Sequence, residues 1–102
     1  HYAPRTPLEC AAEGGARVEQ LRSGGVRVGW LTFSSPEDTP AGLTLRTMPA
    51  DAAGYAARLY AELHALDDAG VDRIVVDMPP EGDEWLAVRD RLRRAANRGT
   101  SA

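Results

Sequence analysis

Lysine is missing from this chain of 102 residues, and all twelve basic residues are arginine. Codon composition explains that as readily as chemistry does. It nevertheless removes any GxxxxGK[ST] phosphate loop, and no GxGxxG stretch replaces it, so nucleotide binding through either loop is unsupported. The glycine pairs Gly14–Gly15 and Gly24–Gly25 are too short to cradle phosphate and read as turn chemistry. A single cysteine excludes an internal disulfide framework. No apolar run approaches the roughly 18 residues of a membrane span, and no basic-then-apolar leader opens the sequence. What remains is the composition of one small α/β-sized domain, 43% hydrophobic and 26% charged, with a net charge of −3. That length supports a core without metal or disulfides.

The pattern along the chain predicts alternating strands and helices. His1 to Pro7 holds two prolines and no apolar period, and reads as an extended arm outside any packed element. Leu8–Ala12 reads as a short strand, and Ala16–Arg22 as a two-turn helix carrying Val18 and Leu21. Val26–Phe33 reads as a strand, with Val28, Trp30 and Thr32 on one face and Gly29, Leu31 and Phe33 on the other. Leu43–Met48 alternates as an edge strand would. Asp51 caps a helix running to about Ala69, with Tyr55, Leu59, Leu63 and Leu66 as its apolar stripe and Gly70 as its stop. The β-branched run Ile74-Val75-Val76 is typical of a central parallel strand. A last helix spans about Asp83 to Asn97 and stops at Gly99, with Trp85, Val88, Leu92 and Ala95 on one face. The order predicts a small three-layer, Rossmann-like α/β domain with a mostly parallel sheet.

Few residues stand out as chemistry. Cys10 reads as a buried, inert thiol. His64 has no second ligand four residues away and reads as a surface residue. Asp77 lies at the carboxyl end of a buried strand, where open α/β sheets take ligands; the simpler reading is a carboxylate capping the turn at Met78-Pro79-Pro80. Arg89, Arg91, Arg93, Arg94 and Arg98 crowd the last helix. Favourable interaction with the helix dipole accounts for them; a phosphate-contacting patch for tRNA is the alternative.

The segments His1-Tyr2-Ala3-Pro4-Arg5-Thr6-Pro7-Leu8, Val28-Gly29-Trp30-Leu31, Arg58-Leu59-Tyr60-Ala61-Glu62-Leu63-His64-Ala65-Leu66-Asp67-Asp68-Ala69-Gly70-Val71-Asp72 and Leu86 to Ala96 together resemble the C-terminal domain of two-domain threonylcarbamoyl-AMP synthases. The match covers nearly the whole chain. Pro79-Pro80-Glu81-Gly82 and Arg89 depart from the family pattern. The resemblance implies residues 1–7 as the remnant of an interdomain linker, 8–98 as a Rossmann-like accessory domain and 99–102 as a tail. It implies a full-length nucleotidyltransferase that makes threonylcarbamoyl-adenylate from threonine, bicarbonate and ATP, with magnesium, for tRNA modification in the cytoplasm. The catalytic cleft would belong to a YrdC-like domain of the same protein. This chain would hold no cofactor and no catalytic residue of its own. His1 and Tyr2 would then belong to a linker segment lying over that cleft as a lid. Two other classes stay open beside this one: a tRNA-binding module built on the arginine helix, and a receiver- or flavodoxin-like domain with a ligand at Asp77.

Overall fold

The structure is a computed structural model that describes residues 4–35 and 39–100, the last four by backbone alone. Strands β1 (Leu8–Ala11), β2 (Val28–Thr32), β3 (Leu43–Thr47) and β4 (Arg73–Asp77) form one sheet in the order β1-β4-β2-β3, and every neighbouring pair is parallel. Helix α1 (Gly14–Ser23) links β1 to β2, α2 (Ala52–Asp68) links β3 to β4, and a 3₁₀ turn (Asp83–Trp85) leads into α3 (Leu86–Thr100).

Strand alternation divides the core into two layers. Leu8, Leu31, Ile74 and Val76 face α2 and α3, where they meet Tyr55, Leu59, Leu63, Leu66, Val88 and Leu92. Val28 and Val75 face α1 and meet Val18, with Trp30 and Leu21 at the margin. The strand order explains this division. The passage from β1 to β2 and the passage from β3 to β4 cross the sheet in opposite directions, so right-handed crossovers put α1 and α2 on opposite faces. β4 lies between two strands, which is why Ile74-Val75-Val76 is apolar without a break. Gly29 lets α2 lie close to the sheet: a Cβ there would stand 2.9 Å from Leu66 Cδ2 and 3.2 Å from Val71 Cγ2.

The second helix follows its sequence signals. The Asp51 carboxylate accepts the Gly54 amide at 2.7 Å, and Gly70, at φ +76°, makes the left-handed turn that ends the helix. Gly54, unfavourable within a helix, is explained by the same cap, since a Cβ would come within 2.8 Å of Asp51 Oδ1.

Several boundaries differ from expectation, three of them with a consequence for the packing. α1 begins at Gly14, not after the glycine pair. β2 begins at Val28, because the Arg27 carbonyl is taken up by the amides of Asp72 and Arg73. α3 continues through Gly99 to Thr100; one glycine costs a helix only about 1 kcal/mol. The arm also differs from an unpacked segment: from Arg5 onward it is hydrogen-bonded to the body of the domain.

Candidate functional site

The two ends of the sheet carry different chemistry. At the carboxyl end, the chain leaves β1 toward α1 on one face and leaves β4 toward α3 on the other, the topological position where α/β sheets take ligands. Asp77 ends β4 opposite Ala11 of β1. Its carboxylate does not cap the Met78-Pro79-Pro80 turn. Oδ1 accepts the Trp30 indole N–H at 2.8 Å and Oδ2 accepts the Thr32 hydroxyl at 2.5 Å. Thr32 is fully buried. The carboxylate fills the space beside the first residue of α1, where a Cβ on Gly14 would come within 1.7 Å of Oδ1. A carboxylate with both oxygens engaged and packed on a glycine is a structural brace across β4, β2 and α1.

Beneath it, on the other face, Phe33, Tyr55 and Trp85 form an aromatic cluster with ring centroids 5.5–6.0 Å apart. Tyr55 is 1% exposed, and among the described residues its hydroxyl has no hydrogen-bond partner. Burial drives its ionisation far upward, with the charges of Cys10 and Asp77 adding to the effect. Cys10 is half-buried, and its thiol lies 3.8 Å from the Leu92 carbonyl. Burial raises the thiol pKa, against an opposing pull from Arg93 and Arg89. A protonated thiol is a poor nucleophile.

The arginines of α3 do not form one patch. Arg89 donates to the Pro79 carbonyl at 2.5 Å and so ties down the loop after β4. Arg93 lies with Arg89 on the flank near Cys10. Arg94 pairs with Asp90 at 2.8 Å, and Arg91 is exposed. At 100° per residue, Arg91 and Arg94 project on a different side from Arg89 and Arg93. The Arg98 side chain lies outside the described residues, as do His1 and Tyr2. His64 is exposed, with its ring 5.0 Å from that of Tyr60. Among the described residues, no group of three or more His, Cys, Asp or Glu side chains could hold a metal ion, and no helix is long and apolar enough to cross a membrane.

The amino end of the sheet holds the arm. Asp67, in the last turn of α2, accepts the Arg5 amide at Oδ2 and the Thr6 amide at Oδ1, both at 3.0 Å. The Pro7 carbonyl then accepts the Ile74 amide at 2.8 Å. Beside this contact runs an open groove of about 400 Å³, whose lining includes Arg5, Thr6, Pro7, Arg27, Val71 and Asp72. Asp72 accepts the Arg27 amide and pairs with its guanidinium, and that backbone bond, followed by the side-chain one, holds its pKa below the usual range.

Two charged clusters escaped the sequence reading. Glu62 of α2 is 3% exposed and bonds Arg46 of β3 and Arg58, the latter at 2.6 Å. The bond from Arg46 is the largest cause of its lowered pKa; burial opposes it and Arg58 reinforces it. Glu9 of β1 similarly receives Arg17 and Arg73, with Arg17 the larger influence. Position 62 falls on the stripe of Tyr55, Leu59 and Leu66, and that was the one available signal.

Residues 1–97 match the family model described as threonylcarbamoyl-AMP synthase, C-terminal domain. The chain is 31% identical over 102 residues to the threonylcarbamoyl-AMP synthase of Bacillus subtilis (strain 168), covering 94% of this chain and 30% of that protein. Its fold is similar to that in the crystal structure of P. abyssi Sua5 complexed with L-threonine, with a TM-score of 0.71 and 25% identity over 95% of this chain and 30% of that one. The chain therefore spans about a third of the length of these relatives.

Proposed function

Because this chain belongs to the family of threonylcarbamoyl-AMP synthase C-terminal domains, we propose that it is the accessory domain of an L-threonylcarbamoyladenylate synthase acting in tRNA threonylcarbamoyladenosine modification in the cytoplasm. Its arm, carrying His1 and Tyr2, closes the catalytic cleft of a YrdC-like domain in the same polypeptide. ATP and magnesium are handled by that domain.

One observation carries this reading. The ordered polar contacts of the described residues brace the domain's own structure, and among them the root of the arm is fixed at the Arg5 and Thr6 amides by the Asp67 carboxylate. A lid needs such a rigid base beneath the segment that excludes water. Asp77, Glu62 and Glu9 are each bonded by partners within the domain.

The test compares the two-domain polypeptide with its His1→Ala/Tyr2→Ala variant, following adenylate formation from threonine, bicarbonate and ATP. The variant is expected to consume more ATP per adenylate formed. An unchanged ratio would sink the lid. Adenylate formation by the isolated 102-residue chain would sink the accessory role.

A further inference from the structure

We propose that two copies of this chain associate through β3, the two strands running antiparallel about a two-fold axis at Leu45 and joining two sheets into one.

β3 ends the sheet order β1-β4-β2-β3, and among the described residues no strand lies beyond it. The Val28 amide goes to the Gly42 carbonyl, and the Met48 amide goes to the Thr32 carbonyl. Carried through the register of β2 and β3, that phase commits the backbone of Thr44 and Arg46 to β2. It turns the backbone groups of Leu43, Leu45 and Thr47 toward the open edge. The Leu43 amide folds back to the Pro40 carbonyl at 3.3 Å.

Such a row of backbone groups is a template for another strand, and native edges are commonly blunted. The other edge of this sheet is blunted: β1 has four residues, is entered through Pro7 and is flanked by α3. β3 holds no proline and pairs with β2 without a bulge. Its one charge, Arg46, lies on the opposite face from Leu45 and is bonded to Glu62.

Self-complementarity selects a second copy as the partner. About an axis at Leu45, Leu45 meets Leu45, Leu43 meets Thr47, and Thr44 meets Arg46. The outward amides and carbonyls then face one another in the phase an antiparallel ladder needs. No charged residue of β3 stands directly opposite its like. On the α1 face, Trp30 is the neighbour of Leu45 in the register, so a row Trp30-Leu45-Leu45-Trp30 crosses the joint. Helix α1 packs on β1, β4 and β2, and Trp30, Leu43 and Leu45 stay half-buried at the margin of that face. Strands of five residues bury less than a standard interface, so the association is weak and reversible.

Sedimentation velocity of the 102-residue chain reads the association, and amide exchange at low and high protein concentration locates it. Dimer is expected to accumulate between about 1 µM and 1 mM. Over that range exchange should slow at Leu45 and Thr47 and stay level at Thr44 and Arg46, which β2 already holds. Two variants act on opposite faces of the strand, with thermal unfolding as the control for folding. Leu45→Lys sets two ammonium groups together at the axis and should abolish the dimer. Thr44→Lys sets a cation against Arg46 of the second copy, twice, and should weaken association about tenfold. A chain that stays monomeric up to about 1 mM overturns the proposal. So does a dimer that either folded variant leaves at its original strength, or one whose protected amides lie outside β3.

Discussion

Trp30 and Asp77 are joined across neighbouring strands by a 2.8 Å bond from the indole Nε1 to Oδ1, made directly beside Gly14. Thr32 completes the brace from its buried hydroxyl. Replacing Asp77 with alanine leaves two donors without their acceptor at a partly buried site. The expected loss is about 2–3 kcal/mol, read by urea unfolding. A loss below about 0.5 kcal/mol, the scale of an ordinary surface change, would mean the carboxylate is free for a ligand instead.

The glycine pair should split. At Gly14 a Cβ would lie 1.7 Å from Asp77 Oδ1 and 2.8 Å from Trp30 Nε1. At Gly15 the nearest atom is Trp30 Cη2 at an ordinary 3.6 Å. Gly14→Ala is expected to destabilise by about 1–3 kcal/mol. Gly15→Ala should be neutral or stabilise by up to about 1 kcal/mol through helix propensity. Equal effects in thermal unfolding would contradict the packing described.

Tyr55 offers the opposite test. Its hydroxyl is buried and, among the described residues, unpartnered. Tyr55→Phe keeps the aromatic cluster and removes a desolvated polar group, so stability should stay level or rise by about 1 kcal/mol. A marked fall in unfolding temperature would reveal a partner for the hydroxyl.

Acid should loosen the domain through Glu62 and Glu9. Each has a folded pKa held below the usual 4.5 by arginine, through Arg46 first for Glu62 and Arg17 first for Glu9. A depressed folded value means that stability is fully present above the unfolded pKa, and that it is lost as pH falls through the folded one. Unfolding free energy should be level near neutrality and decline below about pH 4.5. Glu62→Gln should flatten part of that decline. At neutral pH it should cost about 1–2 kcal/mol, a modest figure because Arg46 and Arg58 are 42% and 57% exposed and can turn to water. An identical acid profile in Glu62→Gln would remove Glu62 from the account.

Local signals in the sequence were read correctly where they were sufficient in themselves. Asp51 and Gly70 bound α2 because a cap and a left-handed turn are decided within a few residues. Ile74-Val75-Val76 announced a strand covered on both faces. The strand order was not legible, since nothing local says that β4 inserts between β1 and β2. The surroundings of the candidate residues were not legible for the same reason. Asp77 was read as a ligand carboxylate or a turn cap, because its partners Trp30 and Thr32 are 47 and 45 residues away. The contacts of Asp67 were equally illegible, since its partners are 62 and 61 residues away. Arginines close in sequence on α3 looked like one patch, and helical geometry with Arg89–Pro79 and Arg94–Asp90 divides them. The family resemblance succeeded because it compares ordered blocks along the whole chain.

The accessory role is tested most directly by adding the purified 102-residue chain to a YrdC-like catalytic domain from which it has been severed, and measuring threonylcarbamoyl-adenylate formed per ATP consumed. The account predicts no adenylate from the chain alone and a higher yield per ATP when the two are combined or rejoined in one polypeptide. Equal yields with and without the chain, rejoined or not, would contradict it.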